Sequence, residues 1–146
     1  MNTSNWTVAN ASVIGNLHIR ENIPCQDSSS YSIINNDRGV AVVADGAGSY
    51  SNSHIGSEEA AKRACAYFKA ASIENKWTSA EQLPTPQEWH KISIDIFRKV
   101  KDELTALAEV RGITPQSLSS TIIVTIYAPD YLLVSHIGDG RAGYSN

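Results

Sequence analysis

The chain has 146 residues, 42% hydrophobic and 18% charged, enough for one domain with a buried core and too apolar for a disordered segment. Twelve Lys and Arg against fifteen Asp and Glu leave a net charge of −3, without the basic stripe that broad nucleic-acid binding requires. No apolar run approaches the roughly 20 residues of a membrane span, and Met1 to Asn10 has neither the cationic start nor the apolar stretch of a secretory signal. Cys25 and Cys65 are too few for a disulfide framework or a zinc cluster and read as packing residues. The expectation is a cytoplasmic protein with reduced thiols and neither a membrane nor a nucleic-acid partner.

Trp6 to Ile14 alternates loosely and predicts a first strand. Tyr31 to Ile34 predicts a second, closed by the turn formers Asn35 to Gly39. Val40 to Ala44 is apolar on both faces, the pattern of a strand buried on both sides. From about His54 the period changes to 3–4. Ala61, Ala64, Cys65, Phe68 and Ala71 then define a helix with a small-residue face, with Glu58 and Glu59 near its positive end. A polar connection, Ser72 to Pro84, leads to Thr85-Pro86-Gln87-Glu88, a capping box with Pro at the first helical position. Trp89, Ile92, Ile96, Val100, Leu104 and Leu107 carry the second helix to Gly112.

Thr121 to Tyr127 and Tyr131 to Ile137 predict two strands about the turn Ala128 to Asp130. Gly138-Asp139-Gly140 turns again, and Arg141 to Tyr144 opens a further strand with no partner before Asn146. Strands, two helices, then strands predict an α+β layered domain rather than a βαβ repeat, incomplete at its C-terminus.

Three acids stand at the ends of these segments: Asp27 after Pro24-Cys25-Gln26, Asp45 after the apolar strand, and Asp139 between two glycines. Carboxylates at strand ends can converge at one sheet edge, and hard cations such as Mg²⁺ or Mn²⁺ take such oxygen ligands. Gly46 would let backbone carbonyls approach an ion. The commoner use of Asp-Gly is a hairpin turn, but two such turns plus Asp27 favour a metal site. Gly46-Ala47-Gly48-Ser49 could cradle a phosphate, yet it lacks a P-loop's Lys-Ser/Thr and the third glycine of a dinucleotide loop. His90 reads as a surface residue, His136 as a core histidine sharing a face with Val134 and Leu132, and His18 lies in a polar loop, open to an anion or to solvent.

Taken together, Gly15-Asn16-Leu17-His18, Cys25-Gln26-Asp27, Val42 to Ser49, Gly56 with Ala60-Ala61, Ser119-Ser120-Thr121 and Ile137 to Arg141 resemble the metal-dependent phosphatases of the protein phosphatase 2C family. The likeness is to its compact bacterial branch and covers the N-terminal portion of the domain over residues 1–146. It implies an αββα sandwich, two antiparallel sheets flanked by helices. It also implies two Mg²⁺ or Mn²⁺ ions activating a water against phosphoserine or phosphothreonine in a protein substrate. By position Asp45 resembles the bridging carboxylate, Gly46 the carbonyl ligand, Asp27 the acid beside metal-bound waters, and Asp139 the ligand of an accessory third ion. His18 is the nearest match to the Arg that grips the substrate phosphate, and Gln26 stands where many relatives carry Glu.

The family's two further metal-binding Asp belong to the second half of its domain, and Asp37, Asp95, Asp102 and Asp130 match neither. With so few ligands, the expectation is no turnover by this polypeptide alone. The rival readings are a catalytically inactive phosphatase-like binding or regulatory module and, behind it, a nucleotide-binding domain using Gly46 to Ser49. Strands awaiting partners also predict an exposed sheet edge through which the chain self-associates.

Overall fold

The computed structural model describes residues 6–145; Met1 to Asn5 and Asn146, the ends of two segments read above, lie outside the described residues. The chain runs α1 (Asn16–Glu21), β1 (Asp27–Asn35), β2 (Arg38–Asp45), α2 (Ser53–Glu74), α3 (Pro86–Arg111), β3 (Ile122–Ala128) and β4 (Tyr131–Ile137). Short 3₁₀ turns stand at Ala80–Gln82 and Pro115–Leu118. The strands form one antiparallel sheet in the order β1-β2-β3-β4, so the architecture is α+β as expected. One sheet, rather than two stacked ones, is present among the described residues.

The small-residue face of α2 decides how the helices sit. Ala60, Ala61, Ala64, Cys65 and Phe68 are buried against Val40, Val42, Val124 and Ile126, and small side chains let the helix axis come close to the strands. Glu58 and Glu59 fall beyond the first turn of α2 and do not serve its dipole; Glu59 pairs instead with Arg63 at 2.9 Å. α3 begins with the expected capping box, in which the Glu88 amide donates to Thr85 Oγ1 (3.3 Å) and the Thr85 amide to Glu88 Oε2 (2.8 Å). It ends at Gly112, left-handed at φ 66°. Its apolar stripe lies beside α2 on the same face of the sheet. Phe68 packs between Trp89 and Phe97 at ring-centroid distances of 5.6 and 5.5 Å.

Several expectations need correction. Trp6 to Ile14 forms no strand; it runs beside β1 on side-chain bonds, Asn10 Nδ2 to Ser29 Oγ (3.0 Å) and Ser12 Oγ to the Asp27 carbonyl (2.9 Å), in place of a ladder. His18 lies not in a loop but on α1, a single helical turn closed by left-handed Asn22 and too short for a periodic signal. Trp77, inside the supposed polar connection, is buried edge-on to Trp89, and its carbonyl accepts from the Tyr131 hydroxyl (2.6 Å) and from Arg38 (2.5 Å). Arg141 to Tyr144 forms no strand either.

β2 is covered at Val40, Val42 and Ala44 on one face; on the other Gly39 is buried against Tyr127, whereas Val43 is 51% exposed. No second sheet covers its other face among the described residues. His136 does share the face of Leu132 and Val134, but that face is the open one, so His136 is exposed rather than a core histidine.

Candidate metal and phosphate centre

The hairpin β1–β2 sets Asp27 directly opposite Asp45, as the first and last residues of its ladder. Opposed residues of an antiparallel pair share a face and hold their Cβ atoms about 4.5–5.5 Å apart. Both carboxylates therefore stand on the open face, at the end of the sheet where β2 turns into α2. Like charges so placed repel, and partial burial adds to the effect. Desolvation first, then a side-chain hydrogen bond with Asp27 and the charges of Asp27 and Asp139, push the Asp45 carboxyl above its ordinary value.

Asp139 reaches the same place by a different route. β4 ends at Ile137, and Gly138 adopts a φ of +102°, which an L side chain rarely tolerates. A Cβ at Gly138 would come within 2.7 Å of Thr121 Cγ2, so only glycine lets the turn fold this closely over the start of β3. The outcome is a cavity of about 310 Å³ lined by all three acids together with Ser12, Thr121 and Gly140. The three acids singled out in the sequence thus meet in one cavity. Among the described residues, however, no three His, Cys, Asp or Glu side chains are grouped closely enough to hold a metal ion. His18 does not line the cavity.

Gly46 is buried, and its amide donates to the Gln26 carbonyl (3.0 Å). A Cβ there would meet the Ser53 carbonyl at 2.7 Å, so this glycine is required by the close approach of α2 whatever its carbonyl does. The neighbouring Ala47 amide donates to the Ser119 carbonyl (2.9 Å). Two amides of the Gly46–Ser49 loop are therefore already engaged, which counts against a phosphate cradle of the nucleotide-binding kind.

Two residues matter more than their sequence context indicates. Gln26 is buried: its side-chain amide donates to Ser53 Oγ (2.9 Å), and its carbonyl accepts from Ser57 Oγ (2.5 Å). It fastens the residue before Asp27 to the first turns of α2, a role that the missing negative charge alone does not reveal. Thr121 brackets Asp45, its amide donating to the Asp45 carbonyl (2.8 Å) and its Oγ1 accepting from the Asp45 amide (3.3 Å). A β-branched polar residue at a strand entry was the available signal, and it fits many bland roles equally well.

The protein phosphatase 2C family model matches residues 14–146. Among curated proteins, the chain is similar to Serine/threonine-protein phosphatase 3 of Escherichia coli (strain K12), at 29% identity over 139 residues, 92% of this chain and 51% of that protein. The chain spans about half the length of the curated relative it matches. No solved structure matches it.

Proposed function

Because the chain belongs to the protein phosphatase 2C family, we propose that residues 1–146 are the N-terminal portion of a metal-dependent protein serine/threonine phosphatase domain. The observation that carries this reading is the pairing of Asp27 with Asp45 across the hairpin, with Asp139 lining the same cavity. Three acidic oxygen donors, one with its carboxyl raised by desolvation and then by its acidic neighbours, suit the hard cations Mg²⁺ and Mn²⁺. The donor set fits in chemistry and is incomplete as a cage. Further ligands and a second sheet over the open face would come from a continuation of the domain.

In this reading Asp45, the Gly46 carbonyl and Asp27 would hold the ions and their waters, and Asp139 would hold an accessory ion. Bound there, the ions would supply a water of lowered pKa and neutralise phosphoryl charge. The chain's own part is to fix the carboxylates. The β1–β2 ladder sets the spacing of Asp27 and Asp45, Thr121 holds the Asp45 backbone from both sides, and Gln26 locks the pair to α2. The substrate is a phosphoserine or phosphothreonine side chain of a protein, with His18 the proposed contact to its phosphate. A cytoplasmic location is consistent with free Cys25 and Cys65, and no described helix is long and apolar enough to cross a membrane.

Hydrolysis of a phosphothreonine peptide by the natural full-length protein, with and without Mn²⁺, tests the reading. Activity should need Mn²⁺, and Asp45→Asn should abolish both Mn²⁺ binding and hydrolysis while circular dichroism stays unchanged. Loss of folding without any metal effect would assign Asp45 to a structural turn. A second reading, a phosphatase-like module that binds phosphoproteins without turnover, draws on the absence of a three-ligand group among the described residues. Saturable phosphopeptide binding with no released phosphate, in the full-length protein with Mn²⁺ present, would decide for it.

A further inference from the structure

On the helix side of the sheet, α3 and the 3₁₀ turn at Pro115–Leu118 enclose a cavity of about 350 Å³ that the phosphatase reading does not use. Its walls are apolar: Phe97, Val100 and Leu104 of α3 face Leu118, Ile122 and Ile137. Ile137 is half-exposed at its rim, so the space opens to solvent beside the end of β4. Its polar residues are Lys101, Thr105, Gln116, Ser119 and Ser120. Lys101 is the charged residue of the lining, with the Thr105 hydroxyl one helical turn away and Ser119 and Ser120 across the cavity. Among the described residues Lys101 makes no ion pair, and no carboxylate lines the space.

The size lies in the range of small-molecule sites, which combine apolar walls with a few placed polar groups. The absence of acidic lining argues against a metal ion or an ammonium ligand, and the apolar walls argue against bare phosphate. What remains is a molecule with an apolar body and one negative end. We propose that this cavity binds a small amphipathic carboxylate, its chain against Phe97, Leu104 and Leu118 and its carboxylate on the Lys101 ammonium. An occupant would also lie close to the centre on the opposite face. The Ser119 carbonyl receives the Ala47 amide, and Ser120 bridges to Gly46, so the cavity wall and the Asp45–Gly46 turn are joined by backbone bonds. The binding itself is independent of whether the chain hydrolyses phosphate.

Decanoate, kept below its micelle concentration, is the probe, with decanol as its uncharged counterpart. Calorimetry on the full chain should show saturable one-to-one binding of decanoate, with decanol about tenfold weaker for want of the charge-assisted bond. Amide resonances should shift at Phe97, Leu104 and Ser120. Lys101→Gln should weaken decanoate about tenfold and leave decanol unchanged, and Thr105→Trp, which places bulk in the cavity from the helix surface, should suppress both. Absence of saturable binding overturns the proposal. So does equal affinity for decanol, indifference to both variants, or shifts confined to the open sheet face at Ile33 and Val43.

Discussion

The two faces of the four-stranded sheet are built from alternate residues of the same strands, yet they have opposite fates. On the helix face Val40, Val42, Val124 and Ile126 are sealed by α2 and α3. On the other, Tyr31, Ile33, Val43, Leu132 and Val134 are apolar and exposed, Ile33 to 57%. Hydrophobicity does not distinguish the two sets; what packs on them does. The candidate centre belongs to the open face: Asp27 and Asp45 share it, and the Gly138–Gly140 turn folds onto it. A site at the end of an uncovered apolar face is one that an added layer would roof, excluding water from the carboxylates and strengthening every charge interaction there.

The sharpest test sets one face against the other. Phe68→Ala removes the fully buried ring between Trp89 and Phe97 and should cost about 3–5 kcal/mol in urea unfolding, a large fraction of a domain's usual stability. Val43→Ala on the open face should cost well under about 1 kcal/mol. Equal losses would mean that the open face is packed in solution and that the contrast is false.

Thr85→Ala, at the head of the helix that covers one face only, should cost about 1 kcal/mol through the lost cap. Acid sensitivity follows with it. Hydrogen bonds from the Thr85 amide and hydroxyl hold Glu88 below the ordinary glutamate value of 4.5. The Tyr67 hydroxyl, then Arg63, lower Glu103 in the same way. A carboxylate depressed in the folded state stabilises it above the unfolded value, and that stability is lost as pH falls through the folded one. Melting temperatures should therefore decline below about pH 4.5, and the Thr85→Ala variant should show a shallower decline.

Paired Ile33→Thr and Val43→Thr should alter folding stability by no more than about 0.5 kcal/mol. In sedimentation runs the same pair should reduce the self-association expected of an exposed apolar face. Unchanged association would place the contact elsewhere, β4 being the other edge of the sheet. The smallest effect is expected from Asp45→Asn in metal-free solution. Removing one of the mutually repelling charges should raise the thermal midpoint slightly, by less than Thr85→Ala lowers it. A lower midpoint would show that the Asp45 carboxylate is itself a structural acceptor.

Much of this was legible without coordinates, wherever a local rule has a local cause. The Thr85–Glu88 capping box, the Gly112 stop and the stripe from Trp89 to Leu107 each depend on residues within a few positions of one another. The three acids could be singled out because strand ends and glycines mark themselves in sequence. What stayed hidden depends on partners far along the chain. Trp77 looks like a loop residue until Trp89, Arg38 and Tyr131 are brought to it, and Gln26 looks like a lost charge until Ser53 and Ser57 of α2 bind it. His136 alternates correctly with Val134, but alternation names a face without saying whether anything covers it. The amino-acid order by itself determined the four strands of the sheet, the two long helices and the carboxylates available to the site. Which sheet face is sealed, and that Asp139 joins Asp27 and Asp45, was decided only in the tertiary structure, because both rest on pairing register and layer packing between segments far apart in the chain.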